Sequence, residues 1–215
     1  MKPDPAAPRP FADAAATWNQ RFATEEYIFG SEPNVWLHEH GGIFQPGQRV
    51  LCMADGEGRN SVWLAQQGLQ VDAYDIAEQG LAKARRLAQS KGVKVNYSLA
   101  DCDSFDHGSE RYDGAVVIFV QFADPAMRER QFANIHRCLK PGGVLILLGY
   151  TPKQLQYKTG GPGIESHLYT EALLRQAFAG WELLSLREYE AELKEGSRHA
   201  GPSALIGLVA RKPAA

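Results

Sequence analysis

The stretch "VLCMADGEGRNSVWLAQQGLQVDAYD", residues 50–75, does most to limit what this chain can fold into. A short apolar run enters a glycine loop, a helix-like segment follows, and a second strand-like run ends in an acid. That order describes one strand–loop–helix–strand unit, in which a crossover helix joins two parallel strands. "RVLCMA" (49–54) and "LQVDAYD" (69–75) are the strands, and Gly68 stops the helix between them. The alternation continues. Ala77, Leu81, Ala84 and Ala88 recur at helical spacing up to Gly92, and "VKVNYSLAD" (93–101) and "YDGAVVIFV" (112–120) read as further strands. Asp124 and Pro125 open a helix with Phe132, Ile135 and Leu139 on its apolar face, and "KPGG" turns the chain into "VLILLGY" (144–150). Continuous apolar runs suit parallel strands covered on both faces, so the centre is an α/β, doubly wound, mostly parallel sheet.

The flanks follow other patterns. Phe11, Ala15, Trp18 and Phe22 share one helical face, and Pro33 opens a second short helix closed near Gly41 and Gly42. After the core comes a long glycine- and proline-rich connection, "TPKQLQYKTGGPG" (151–163). Thr170 caps a helix to about Phe178, and "WELLSLREYEAEL" and "SALIGLVARK" are two strands joined by "KEGSRHAGP". These two pair as an antiparallel ribbon at one side of the sheet. The expected organisation is a flexible tail (1–10), a helical lid segment (11–45) and a single domain (46–215).

With 215 residues and 44% apolar composition, one substantial domain is expected. The formal net charge of −2 gives no general attraction to nucleic acid or anionic membrane. Cys52, Cys102 and Cys138 form no CxxC pair, and His38 and His40 face differently on a helix, so no disulfide framework and no metal site are expected. No apolar run approaches the ~20 residues that span a bilayer. These features point to a cytoplasmic monomer or homodimer acting on a small molecule.

The loop "ADGEGRN" (54–60) follows a strand and opens a helix, where a dinucleotide fingerprint would stand. Ser61 occupies the place of the third glycine, and Asp55 and Glu57 set two acids where a pyrophosphate would bring negative charge. A cationic ligand with an adenosine part suits such a loop better, and S-adenosylmethionine carries a sulfonium and an ammonium group. Asp75, about 20 residues on, has the spacing of a ribose-binding carboxylate; with Glu78 it also has the spacing of a helix cap. Asp101 is a candidate partner for the adenine amino group beside the Cys102 backbone N–H, and is equally a turn former.

On "WNQRFATEEYIFGSEPN", "ADGEGRN", "VDAYD", "LKPGG" and "EGSRHAG…LVARK", over about residues 18–212, the chain resembles the class I S-adenosylmethionine-dependent methyltransferases, and within them the small branch that includes the tellurite-resistance enzymes. The resemblance implies a Rossmann-like sheet with an antiparallel carboxyl-terminal strand and an amino-terminal helical lid. It departs at Cys52 and Ala54, where many members have an acid and a glycine; Asp55 and Glu57 are candidates to compensate. The cofactor-binding candidates are Trp18, Arg21, Tyr27, Ala54, Asp55, Gly56, Glu57, Asn60, Asp75, Ile76, Asp101, Cys102 and Phe119.

Methyl transfer demands alignment more than acid or base, so the absence of a triad excludes nothing. Phe119 and Gln121 follow the fourth strand and Tyr150 ends the fifth, where strand ends should meet the cofactor; Phe119 and Tyr150 also suit a core. His107 and His136 read as surface residues. His167 and His199 lie where they could face a pocket, and only His199 matches the histidine segment of the tellurite branch. The acceptor-side candidates are His199, Tyr150 and Gln121, and the first-guess acceptor is a sulfur, selenium or tellurium nucleophile. Protein or RNA substrates, or adenosyl-metabolite binding without turnover, are the alternatives.

Overall fold

The apolar runs pair edge to edge into one sheet. A computed structural model describes residues 10–214, with side chains from residue 14 onward; residues 1–9 of the expected tail and the Phe11 side chain lie outside the described residues. The strands are β1 (Arg49–Met53), β2 (Gln70–Asp75), β3 (Asn96–Leu99), β4 (Tyr112–Ile118), β5 (Leu139–Tyr150), β6 (Glu182–Glu195) and β7 (His199–Arg211). The sheet order is β3-β2-β1-β4-β5-β7-β6. The first five strands are mutually parallel, with Val50 beside Val71 and Gly114. β7 runs antiparallel to both β5 and β6. The order reverses between β1 and β4, which places a ligand crevice at the carboxyl ends of those strands.

The helices are α1 (Pro10–Phe22), α2 (Val35–His40), α3 (Arg59–Gln66), α4 (Glu78–Ser90), α5 (Pro125–Cys138), α6 (Gln154–Tyr157) and α7 (Glu171–Ala177). Side chains alternate across the strands, so each sheet face carries its own core. Leu51, Met53, Leu145 and Leu147 pack with Phe132, Ile135 and Phe178 on one face. Val50, Cys52, Ile146 and Leu148 pack with Trp36 and Leu64 on the other. Gly207 on β7 is what lets Trp36 lie flat on the sheet, because a Cβ there would stand 2.4 Å from the indole.

Several local expectations change. The α2 cap is Asn34, whose side chain accepts from the Leu37 N–H, and Pro33 precedes the cap instead of opening the helix. The third strand shortens to Asn96–Leu99, and the connection expected across "KEGSRHAGP" contracts to a tight hairpin between Glu195 and His199. The tip of this hairpin is tied down: the Arg198 N–H donates to Ile28 O at 3.1 Å. Nor is His107 a surface residue, and His136 is only partly exposed. His107 is buried against Phe105 and Tyr74, and His136 stacks on Phe178 with Nε2 2.9 Å from Ala177 O.

Candidate active site

At the end of β1 the chain must turn sharply into α3, and the turn uses left-handed backbone at Ala54 (φ +48°), Gly56 (φ +61°) and Gly58 (φ +89°). Gly58 is sterically compelled as well, since a Cβ would meet Ala84 Cβ at 2.7 Å. Ala54 accepts the same backbone conformation without being glycine. Across the crevice, Phe119 follows β4 with φ +57°. Two non-glycine residues with left-handed backbone thus line one pocket at the switch point, the kind of place where backbone strain gathers at ligand sites.

Asp75 braces this loop. Its Oδ2 accepts from the Gly56 N–H at 2.8 Å and its Oδ1 from the Ala77 N–H at 2.9 Å. The capping-box reading is not realised, because α4 is preceded by Ala77 with no side-chain cap. Burial raises the Asp75 pKa against the lowering effect of its backbone donors.

The loop acids are not aimed as their sequence suggested. Asp55 turns its carboxyl toward α3, taking hydrogen bonds from Ser61 Oγ and from the Ser61 N–H at 3.3 Å; Ser61 in turn touches Tyr97. Burial pushes the Asp55 carboxyl up to about 7, and the Ser61 hydrogen bonds only partly offset it. Glu57 lies outside the pocket, buried in a 2.5 Å ion pair with Lys83 of α4, and it also accepts from the Phe29 N–H.

The resulting pocket is lined on the cofactor-loop side by Ala54, Asp55, Gly56, Arg59 and Asn60, and beyond β2 and β3 by Asp75, Ile76, Asp101 and Cys102. Phe119, Phe122 and His199 form another wall, and Trp18, Phe22 and Phe29 from the amino-terminal block close it. Trp18 stacks on Phe22 at 5.4 Å. Arg21 is exposed over the Trp18 ring and outside the pocket, and Tyr27 instead donates to Lys83 O at 3.0 Å. Asp101 Oδ1 is engaged in its own turn by the Asp103 and Ser104 N–H groups. Buried Cys102 receives the Gln131 amide, and burial pushes its thiol up to about 11, so it is an inert wall.

On the acceptor side the structure brings only His199 to the cavity. Its ring centroid lies 4.3 Å from Phe119 and 4.5 Å from Phe29. Burial, and then the nearby Arg59 charge, push its pKa down to about 3, so the imidazole is neutral at physiological pH. Tyr150 stacks behind Phe119 at 4.7 Å and does not line the pocket. Gln121 is also withdrawn: its amide clamps Tyr150, donating to Tyr150 O at 2.9 Å and accepting from its N–H. His167 leans on Gln121 O at 3.3 Å instead of the cavity. Sequence reasoning missed Phe22, Phe29 and Arg59 as pocket walls. The signals were present, since Phe29 sits in the aromatic block and Arg59 in "GEGRN".

Residues 50–143 match a family model described as a methyltransferase domain. Demethylmenaquinone methyltransferase of Thermus thermophilus is 33% identical over 107 residues, covering 49% of this chain and 48% of that protein. The chain therefore spans about half the length of that relative. A structure titled for the conversion of a disulfide bond into a thioacetal group during echinomycin biosynthesis superposes with a TM-score of 0.75 at 17% identity, over 93% of this chain and 91% of that one. TehB from Haemophilus influenzae superposes with a TM-score of 0.68 at 19% identity, over 92% and 66%. The matched segment is under half of the chain and runs from β1 through the glycine loop to the start of β5, and the superposed structures share the fold.

Proposed function

We propose that this chain transfers a methyl group from S-adenosylmethionine to a small, neutral, soft nucleophile, with a thiol as first choice. The observation that carries the reading is one pocket shared by Asp75, the Ala54–Gly56 turn, an aromatic wall and a neutral His199. Each Asp75 oxygen accepts one backbone N–H, which leaves acceptor capacity for ribose hydroxyls. Trp18, Phe22 and Phe29 supply the lid, and Asp101, with its Oδ1 used in a turn, retains Oδ2 for an adenine amino group. When bound, S-adenosylmethionine supplies an activated methyl on a sulfonium.

The acceptor class follows from charge. Arg59 is the one cationic side chain lining the pocket among the described residues, and it is already paired with Glu195 at 2.8 Å and bonded to Phe29 O. Among the described residues a tellurium or selenium oxyanion would find no free cation here, whereas a protic acceptor finds a neutral imidazole nitrogen able to accept its hydrogen bond. Bound S-adenosylmethionine would supply the methyl and would leave as S-adenosylhomocysteine, its carbon–sulfur bond giving way as the bond from carbon to the acceptor forms. The acceptor's proton becomes strongly acidic only as its new bond to carbon forms, so it would pass to His199 at that point and on to water, since an imidazole with a pKa of about 3 does not retain it. Well-aligned reactants can supply about 7–11 kcal/mol of the barrier reduction, so alignment by the aromatic wall matters more than base strength.

The test is incubation with S-adenosylmethionine and a panel of thiols, selenols, selenite and tellurite, with mass-spectrometric detection of products. Methylated thiols are expected. Methylation of the oxyanions alone would refute the neutral-acceptor reading, and failure of S-adenosylmethionine to bind in calorimetry would refute the reading altogether.

A further inference from the structure

The carboxylate of Glu195, at the end of β6, sits where three separate parts of the chain meet. It is buried, and it accepts from Asn34 Nδ2 at 2.9 Å and from the Val35 N–H at 3.2 Å, both at the start of α2. Its Oε2 pairs with Arg59 of α3 at 2.8 Å, with both side chains 7% exposed. Arg59 in turn donates to Phe29 O, so the glycine-loop helix, the aromatic strap and the hairpin carrying His199 are held by one buried anion.

Each oxygen of this carboxylate holds two contacts, Oε1 from Asn34 Nδ2 and the Val35 N–H and Oε2 from Asn34 Nδ2 at 3.1 Å and from Arg59, so it acts on a further neighbour through its charge and not through a free lone pair. Nδ1 of His199 lies 4.0 Å from Glu195 Oε2, is buried, and has no hydrogen-bond partner among the described residues. A neutral imidazole carries one N–H, and a carboxylate beside Nδ1 favours the proton on that nitrogen. The lone pair is then left on Nε2.

We infer that Glu195 is a positioning residue that holds His199 in its Nδ1-protonated tautomer, and that the Arg59–Glu195 pair fixes this hairpin against the cofactor loop. Nε2 is thereby kept as the unprotonated atom available for an acceptor's proton. The inference deepens the proposed reaction, but its physical content, the tautomer, exists without any substrate.

The tautomer can be read directly from long-range 1H–15N NMR correlations in full-length protein labelled with 15N-histidine, with His199 assigned from the His199→Gln variant. The wild type at neutral pH is expected to show the Nδ1–H form, and Glu195→Gln is expected to shift His199 toward the Nε2–H form. S-adenosylmethionine affinity can change in that variant as well, because Arg59 lines the pocket and loses its partner; the selective tautomer shift, which a merely structural loss would not produce, is the deciding readout. If Glu195→Gln does not fold, Arg59→Met/Glu195→Met removes both charges together and should show the same shift. An Nε2–H tautomer in the wild type, or an unchanged tautomer in the folded variant, would overturn the assignment. Absence of S-adenosylmethionine binding to the wild type would instead overturn the proposed reaction and leave the tautomer result standing.

Discussion

Phe119 meets His199 edge to face, with ring centroids 4.3 Å apart and planes at 63°. The left-handed backbone at Phe119 swings its ring out of β4 into this contact, and Tyr150 backs it at 4.7 Å. The acceptor wall is thus built from the strand next to the switch point and from the far hairpin.

His199→Gln should lower turnover with a thiol acceptor by about 10²-fold or more, the usual scale for a positioned acid or base, while S-adenosylmethionine affinity changes little. Because the imidazole is held neutral down to about pH 3, the rate should stay level through the range where an ordinary histidine titrates. Steady-state kinetics with saturating cofactor check both points, and a rate that falls as pH rises through about 6.5 would restore a cationic role.

Asp75→Ala should weaken S-adenosylmethionine binding by about 1–3 kcal/mol, the scale for losing hydrogen bonds to a charged group. It removes the strut to Gly56 as well as the acceptor offered to the ribose, so thermal stability should fall along with affinity. Asp75→Asn, which keeps an acceptor oxygen, should lose less of both. Calorimetric titration and thermal melts of the two variants separate these outcomes, and unchanged affinity in folded Asp75→Ala would leave Asp75 a strut only.

The strand ladder and the glycine loop were legible because both are local. Apolar runs with turn residues between them specify parallel strands, and a loop that needs left-handed backbone shows itself as Gly56 and Gly58. What failed were statements about where a side chain points once the chain has folded. Asp55 and Glu57 read as two acids facing a ligand, yet Asp55 lines the pocket with its carboxyl tied to Ser61, and Glu57 leaves the pocket for Lys83, a residue 26 positions away whose charge no local pattern ties to Glu57. Tyr27 and Arg21 failed for the same reason, being assigned by their company in one aromatic block. His107 and His136 were placed outside because polarity was read without the surrounding aromatics that the sheet packing supplies.

Lys83→Met should destabilise the fold by about 3–5 kcal/mol, because it leaves the Glu57 carboxylate buried without its partner. Lys83→Met/Glu57→Gln should recover much of that loss, since the expensive species is the orphaned charge and not the missing pair. Urea unfolding of both variants measures the difference. Equal destabilisation of the single and double variants would show that the pair stabilises the strap through its hydrogen bonds to Glu26 and Phe29 instead.

Stability should carry two opposed pH signatures from the pocket. Asp55 ionises near 3.8 in an unfolded chain and near about 7 in the fold, so the folded state binds the extra proton between those values. Its contribution is complete below the unfolded pKa and is lost as pH rises through about 7. For His199 the folded value lies near 3 against an unfolded 6.5, so the unfolded state binds the extra proton and stability is lost as pH falls through that window. Asp55→Asn keeps an acceptor for Ser61 but cannot ionise, so its stability relative to the wild type should improve from about pH 5 to about pH 8. His199→Gln should improve relative to the wild type in the other direction, from about pH 7 down to about pH 4. Urea unfolding across that range decides the matter: a wild-type profile that runs parallel to Asp55→Asn would mean that Asp55 is already ionised beneath the glycine loop.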